Sequence, residues 1–315
     1  MNFKKAAVID MGTNTFHLLL VEVHENNFRT IYKEKVAVKL GQGGISKKVI
    51  TTDALKRAYH TLEHFNNLIK GEGIQETFAF ATSAVRNADN GSDFVNKIKK
   101  LFNIEVTVID GDQEAQLIYE GIKFSGSLSE KTSLMMDIGG GSVEFIIGNN
   151  VQSFWKQSFE IGGQRMLDLF HYHDPILPEE MDKLEGYLAD KLHDLVHAIH
   201  RFEPSDLVGA SGTFDTLSDI YFAGLKQKKH KSQQTFDLPA TEFYKIAEQL
   251  VTLNKQERLN IPGMIPMRVD MIVVASLLIT YILKFVPAQH LYCSTYALKE
   301  GAISQLIKRE CPVNS

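Results

Sequence analysis

Apolar residues fill positions 6–9, give way at Asp10 and a polar turn over 12–15, and resume from Phe16 to Val23. The same order returns at 134–136, Asp137, a glycine turn over 139–142, and 143–147. Short apolar runs bounded by turn residues read as buried strands, so each stretch predicts a strand–turn–strand hairpin. Alignment on the two aspartates sets Gly12 against Gly139, Asn14 against Gly141, Thr15 against Ser142 and Leu18 against Phe145. A second pair, "FAFATSAVRNA" (78–88) and "LVGASGTFDTL" (207–217), repeats at nearly the same offset. The chain therefore reads as a duplicated α/β unit of roughly 130 residues.

The intervening pattern supports the duplication. In the first half a further strand is predicted over 28–38. Leu55, Tyr59, Leu62, Phe65 and Ile69 then recur at helical spacing, between Thr51–Thr52–Asp53 and the exit glycines Gly71 and Gly73. A strand over 77–81, a helix over 93–101, a strand over 105–109 and a helix over 113–119 complete it. The second half gives a strand near 151–159, helices over 163–170 and 178–202, and a strand over 207–210. A polar loop over 225–239 and helices over 240–250, 268–285 and 296–308 follow. A doubly wound nucleotide fold opens strand–turn–helix. Hairpin-first halves point instead to two similar α/β domains facing each other across a cleft.

Composition narrows the classes. A chain of 315 residues, 44% hydrophobic, suits two domains of ordinary size. The net charge of −4 argues against nucleic acid or an anionic membrane as partner, although a local basic cleft is compatible with it. Cys293 and Cys311 are the only cysteines, so neither a disulfide framework nor a Cys-based metal site follows, and a reducing cytoplasm fits. The apolar stretch 271–283 is about 13 residues long, against roughly 20 for a membrane span, and reads as a buried core helix.

The two turns carry the chemistry. Gly12 lets the backbone approach a ligand, and Thr13, Asn14 and Thr15 add donors. Gly139, Gly140 and Gly141 have no Cβ, so a phosphate can rest on the main chain beside Ser142. Hairpin geometry alone accounts for one glycine per turn. It does not account for three in a row, or for an aspartate before each turn. A carboxylate beside phosphate is repulsive unless a cation lies between them, so Asp10 and Asp137 imply Mg²⁺ or a similar hard cation held by oxygen.

Six ordered segments, "DMGTNTFHLLL", "FATSAVRNADN", "IDGDQEAQLIYEGI", "DIGGGSVEFIIG", "VGASGTFDTL" and "YALKEGAI", resemble the exopolyphosphatase/guanosine pentaphosphate phosphohydrolase (Ppx/GppA) family. The likeness covers essentially the whole chain. It implies the duplicated actin-like, ribonuclease H-like fold of the superfamily that includes actin, heat-shock chaperones and acetate and sugar kinases. It also implies domains of 1–121 plus 297–315 and of 122–296. By the same likeness Glu114 is the catalytic base, Arg86 contacts the phosphates, and Asp137 and Glu144 bind Mg²⁺ (or Mn²⁺), with Asp10 able to serve the same cation. Gly212 and Thr213 match the second domain's phosphate-side turn, and the loop "KLGQGGISKK" matches a glycine-rich loop near the active site.

The residues alone leave plainer readings open: a solvated first-turn acid for Glu114, a surface guanidinium for Arg86, an outward strand residue for Glu144. His17 could reach phosphate or pack over the cleft. The run Lys226, Lys228, Lys229, His230, Lys231 reads as a solvated loop that could track a polyanion. Gln113, Gln116 and Val143 depart from the family pattern. The first could change local charge and metal affinity.

The resulting expectation is an exopolyphosphatase releasing terminal orthophosphate from inorganic polyphosphate, the terminal phosphate lying between the two turns. Guanosine pentaphosphate is the near alternative substrate. An ATP-using kinase or ATPase and a non-catalytic polyphosphate or alarmone sensor are further alternatives, and a homodimer stays open.

Overall fold

The computed structural model describes residues 4–230 and 232–310. The chain forms two compact units. Unit 1 runs to Gly121 and resumes at Leu298; unit 2 is Ile122–Ala297.

Unit 1 is built on a five-stranded mixed sheet. Strand β1 (Lys4–Met11) pairs antiparallel with β2 (Phe16–Val23), which pairs antiparallel with β3 (Phe28–Val36). On its other side β1 pairs in parallel with β4 (Glu76–Ala81), and β4 with β5 (Val106–Val108). The apolar runs of β1 and β2 are buried on both faces, as their unbroken hydrophobicity requires, while β3 is an exposed edge. Helix α1 (Thr52–Gly71) is N-capped by Thr51, whose side chain accepts from the Ala54 N–H. Its buried stripe is Ala54, Ala58, Leu62, Phe65 and Ile69. The predicted Leu55 and Tyr59 are only partly buried, because the small alanines let the helix sit closer to the sheet. The one-turn α2 (Ser83–Arg86), α3 (Gly91–Phe102) and α4 (Gly111–Phe124) follow, and the C-terminal α12 (Leu298–Glu310) packs on β1.

Unit 2 repeats the plan. Strand β6 (Ser133–Ile138) pairs antiparallel with β7 (Val143–Gly148), and β7 with β8 (Ser153–Phe159). Parallel to β6 runs β9 (Asp206–Ala210), then β11 (His290–Ser294). An extra strand, β10 (Thr235–Pro239), closes that edge antiparallel to β11. The ladders refine the alignment. Asp10 lies opposite Phe80, and Asp137 opposite Ala210, so the repeat of Ala210 is Phe80 and not Ala81.

Several elements differ from expectation. The loop expected over 225–239 contains β10, whose Phe236 and Leu238 alternate into the core; its partner β11 was not predicted. Both are five-residue strands in which buried apolar positions alternate with Thr235 and Asp237 or His290 and Tyr292, so neither shows the unbroken apolar run that marked the central strands. The helix expected over 178–202 is two, α6 (Pro178–Lys191) and α7 (His193–Phe202), broken at the fully buried Leu192. Helix α8 (Ser211–Gly224) opens where the sequence showed only a turn. Helices α5 (Gly163–Phe170), α9 (Ala240–Thr252) and α10 (Lys255–Leu259) complete the surround. The apolar stretch forms the buried α11 (Met271–Ile282), and no described helix is long and apolar enough to cross a membrane. Cys293 is buried, and burial pushes its thiol up to about 12. Cys311 and Lys231 lie outside the described residues.

Candidate active site

In each unit the candidate residues gather at the C-terminal edge of the parallel strands, where open α/β sheets bind ligands. In unit 1 the chain leaves β1 at Asp10 and Met11 and turns through 12–15. It leaves β4 at Ala81 into α2, and leaves β5 into α4. Two backbone bonds tie these exits together: Thr82 N–H to Met11 O at 3.4 Å, and Ile109 N–H to Ala81 O at 3.1 Å.

Glu114 sits in the first turn of α4. Asp110 and Gln113 cap that helix reciprocally: the Gln113 N–H donates to Asp110 Oδ1 at 2.8 Å, and the Asp110 N–H donates to Gln113 Oε1 at 3.1 Å. Gln113, expected to alter charge and metal affinity, is thus committed to the cap, a task glutamate performs equally well. Gln116 reaches along the helix to Glu120. Glu114 itself is 7% exposed. Arg86, the last residue of α2, donates through Nη1 to Glu114 Oε2 at 3.0 Å and to Ile109 O at 2.9 Å. A solvated first-turn acid and a free surface arginine are therefore both excluded as descriptions of this pair.

The 12–15 turn is held from behind. Gly12 N–H bonds Thr15 O, Gly41 N–H bonds Thr13 O, and Lys39 N–H bonds Asn14 O. All three carbonyls are occupied, whereas among the described residues no backbone carbonyl receives the N–H of Thr13 or Thr15. His17, opposite Asp10 in the β1–β2 ladder, bonds the Thr15 hydroxyl at 3.0 Å.

Unit 2 reaches the same result by other means. The first N–H groups of α5 bond to the turn carbonyls: Gly162 to Gly141, Gly163 to Gly139, Gln164 to Gly140, at 2.8–3.0 Å. Arg165 Nε adds a bond to Gly141 O. Among the described residues the N–H groups of Gly140, Gly141 and Ser142 go to no backbone carbonyl. In both units three turn carbonyls are occupied, while the N–H groups of Thr13 and Thr15 in one and of Gly140, Gly141 and Ser142 in the other find no backbone acceptor among the described residues, a polarity that suits an anion. Gly162 is obligatory, since a Cβ there would lie 2.4 Å from the Gly141 carbonyl carbon.

Asp137 and Glu144 are directly opposite each other across β6 and β7, and both are buried. Asp137 accepts from the Ser211 hydroxyl at 2.7 Å, and Glu144 from the Ser158 hydroxyl at 2.7 Å. No group of three or more His, Cys, Asp or Glu poised to hold a metal occurs among the described residues. A pair of adjacent buried carboxylates nonetheless fits Mg²⁺, which takes one or two carboxylates and completes its shell with water and substrate phosphate.

Three residues here escaped the sequence reading. Ser211 and Ser158 are the hydroxyl donors just described, and Ser211 holds a left-handed φ of 67°. The third is Arg268. Its guanidinium is buried, its Nε has no hydrogen-bond partner, and a Cβ on Gly212 would lie 2.0 Å from its Nη2. Burial pulls its pKa down, while Asp215 and Asp137 pull it back. Gly212, expected as a phosphate-side glycine, thus has a second reason to be glycine: it makes room for Arg268. Thr213 is buried next to it. Nothing local to 268 announces this, since the contact spans 56 residues. Of the basic run, Lys229 bonds Asp219 at 2.6 Å and lies over the Phe236 ring, so it serves the fold of unit 2.

Comparison with known proteins agrees with this geometry. The crystal structure of an exopolyphosphatase from Cytophaga hutchinsonii is 43% identical, with a TM-score of 0.94 over 97% of this chain and 98% of that one. The Aquifex aeolicus member of the Ppx/GppA family, 21% identical, shares the fold at a TM-score of 0.81 over 98% and 99% of the two chains. A guanosine-5'-triphosphate,3'-diphosphate pyrophosphatase of Photobacterium profundum is 30% identical across 69% of this chain, which spans 44% of that longer protein. The architecture is the duplicated actin-like α/β fold. Over residues 19–310 the sequence matches the Ppx/GppA phosphatase family, and the chain belongs to it.

Proposed function

We propose that this phosphoanhydride hydrolase releases terminal orthophosphate from inorganic polyphosphate, with Glu114 as the base that orients and deprotonates water. The observation that carries this reading is the Arg86–Glu114 contact of 3.0 Å, which fixes a buried carboxylate at the strand ends beside a turn of unspent N–H donors. Hydrolysis of a phosphoanhydride asks for water aimed at phosphorus and for stabilisation of charge on the equatorial oxygens. Glu114 suits the first task. Arg86 suits the second: its guanidinium is anchored on Glu114 and Ile109, and a guanidinium pairs well with phosphoryl oxygens.

Asp137 and Glu144 would hold Mg²⁺, with Asp10 as a further carboxylate. The ion, when bound, supplies a positive charge that lets phosphate approach these acids. The N–H groups of turns 12–15 and 139–142 would bind phosphoryl oxygens. Guanosine pentaphosphate is the second reading, favoured by the 30% identity to the Photobacterium pyrophosphatase. Both substrates end in the same phosphoanhydride, so one set of residues serves either.

The test is phosphate release from polyphosphate, guanosine pentaphosphate and ATP side by side, with Mg²⁺ and with EDTA. Polyphosphate is expected to be turned over fastest and EDTA to abolish release. Glu114→Gln keeps a hydrogen-bond acceptor for Arg86 yet cannot take a proton, and is expected to lower kcat by about 10²–10⁴ while binding persists. Full activity in that variant removes Glu114 as the base. Transfer from ATP to an acceptor would replace the hydrolase reading with a kinase.

A further inference from the structure

The loop that braces the 12–15 turn is itself unusual. From Val36 to Thr51 the chain carries three lysines, Lys39, Lys47 and Lys48, and no acid, in a protein of net charge −4. All three are exposed, and none has an ion-pair partner among the described residues. The loop cannot drift from the turn. Its backbone donates to Thr13 and Asn14, and a Cβ on Gly41 would lie 2.5 Å from Thr13 Cγ2. Arg57 clamps it from below, donating to Val38 O at 2.7 Å and to Lys39 O at 2.9 Å.

The backbone makes the lysines harder to dismiss as solvent decoration. Lys39 and Lys48 both adopt left-handed conformations, with φ of 52° and 53°. Glycine and asparagine enter that region most easily. Among the described residues Gly43 (φ 69°), Asn103 (φ 56°), Glu203 at the end of α7 (φ 46°) and Lys226 (φ 56°) also enter it, so what sets this loop apart is two lysines so placed beside one turn. Lysine at two such positions in one short loop retains a positive charge where the backbone favours an uncharged residue. Strained positions of this kind concentrate at ligand sites.

We propose that Lys39, Lys47 and Lys48 form an outer subsite for the inner phosphates of a linear polyphosphate whose terminal group lies at the 12–15 turn. This rests on the reading of that turn as a phosphate site. The lysines act as point charges on successive phosphates, so they select for chain length and not for the chemistry of the terminal bond. A substrate with few phosphates uses the turn and gains little from the loop; a long one uses both.

The test follows from the backbone. The variant Lys39→Asn/Lys47→Gln/Lys48→Asn removes all three charges and places a residue suited to φ > 0 at both left-handed positions, so its melting temperature is expected to hold or rise. Affinity is measured in the Glu114→Gln background, so that hydrolysis does not consume the ligand. The triple variant is expected to lose about tenfold or more in affinity for long-chain polyphosphate and less than about threefold for tripolyphosphate. The slope of log affinity against log salt should become shallower by about two units. Equal losses for both ligands would mean that the loop acts only by shaping the turn; no loss for either would remove it from binding. Either result overturns the proposal. If the unmodified chain releases no phosphate from any substrate but this difference in binding persists, the hydrolase reading fails and the subsite stands.

Discussion

Replacing Gly212 with alanine puts a methyl carbon 2.0 Å from Arg268 Nη2, 2.5 Å from Cζ and 2.7 Å from Nε. Ordinary carbon contacts begin near 3.5 Å, so the whole guanidinium must withdraw by more than 1 Å (roughly the shortfall). It has little room, being 8% exposed, and withdrawal takes it from the vicinity of Asp137 and Asp215. Overpacking of this kind costs about 1–3 kcal/mol. Without Arg268 the sign should reverse. Gly212 lies in the first turn of α8 at an ordinary φ, where alanine is favoured over glycine by about 0.5–1 kcal/mol. Gly212→Ala should therefore destabilise the native chain by about 2 kcal/mol and stabilise the Arg268→Ala chain slightly, a coupling of about 2–3 kcal/mol. Urea denaturation of the four chains, followed by a unit 2 probe such as Trp155 fluorescence, reads the cycle. In melting temperature the native-background effect is about 4–8 °C. Equal destabilisation in both backgrounds would show that Gly212 is fixed by something other than Arg268.

Three further outcomes are expected. Ser211→Gly relieves the left-handed φ of 67° but removes the hydroxyl on Asp137, so stability should hold while apparent Mg²⁺ affinity, read from the activation curve, falls by about 10–100-fold; an unchanged curve would take Asp137 out of the metal site. Asp110→Ala should cost about 1 kcal/mol and reduce kcat by loosening the turn that carries Glu114, whereas Gln113→Glu preserves the cap and should leave both unit 1 stability and kcat nearly unchanged. His171 is buried with neither ring nitrogen hydrogen-bonded, and burial, then Arg258, holds its pKa below the usual 6.5 despite Asp174, Glu180 and Asp270 nearby. The unfolded chain thus takes up a proton that the folded chain resists, so urea midpoints should fall as pH drops below about 6.5, and His171→Gln should flatten that slope.

What could be read from the sequence follows one physical divide. Both hairpins were legible because each is a local event: two apolar runs of strand length, joined by a four-residue turn whose glycines and hydroxyls lie within the window being read. Helix α5 was legible to the residue, and the succession of strands β1 to β5 along the chain was read from the same pattern. Arg86 and Glu114 were each singled out only by the family resemblance, and their contact joins residues 28 apart through the ends of two strands and a capped helix. Ser211 and Arg268 carry no local mark at all. A serine gives no notice that it will take a left-handed φ, and an arginine before an apolar helix most often faces solvent.

The support of the two turns shows why self-comparison stopped where it did. In unit 1 the Thr13 and Asn14 carbonyls are taken by a loop that follows β3; in unit 2 the turn carbonyls are taken by the N-terminus of a helix that follows β8. These braces share neither sequence nor secondary structure, so no alignment of the halves could pair them. They deliver the same product, a turn with three carbonyls satisfied and several N–H groups left without a backbone acceptor among the described residues, on the same four-residue frame. Duplication preserved the hydrogen-bonding polarity of the turn and left each half to supply it differently. In unit 1 the element that supplies it also brings three lysines to the turn, whereas in unit 2 the same duty falls to α5, whose only cation near the turn, Arg165, is spent on Gly141 O and Glu160. Any asymmetry in how the two halves treat a polyanion should therefore originate in the braces, not in the turns.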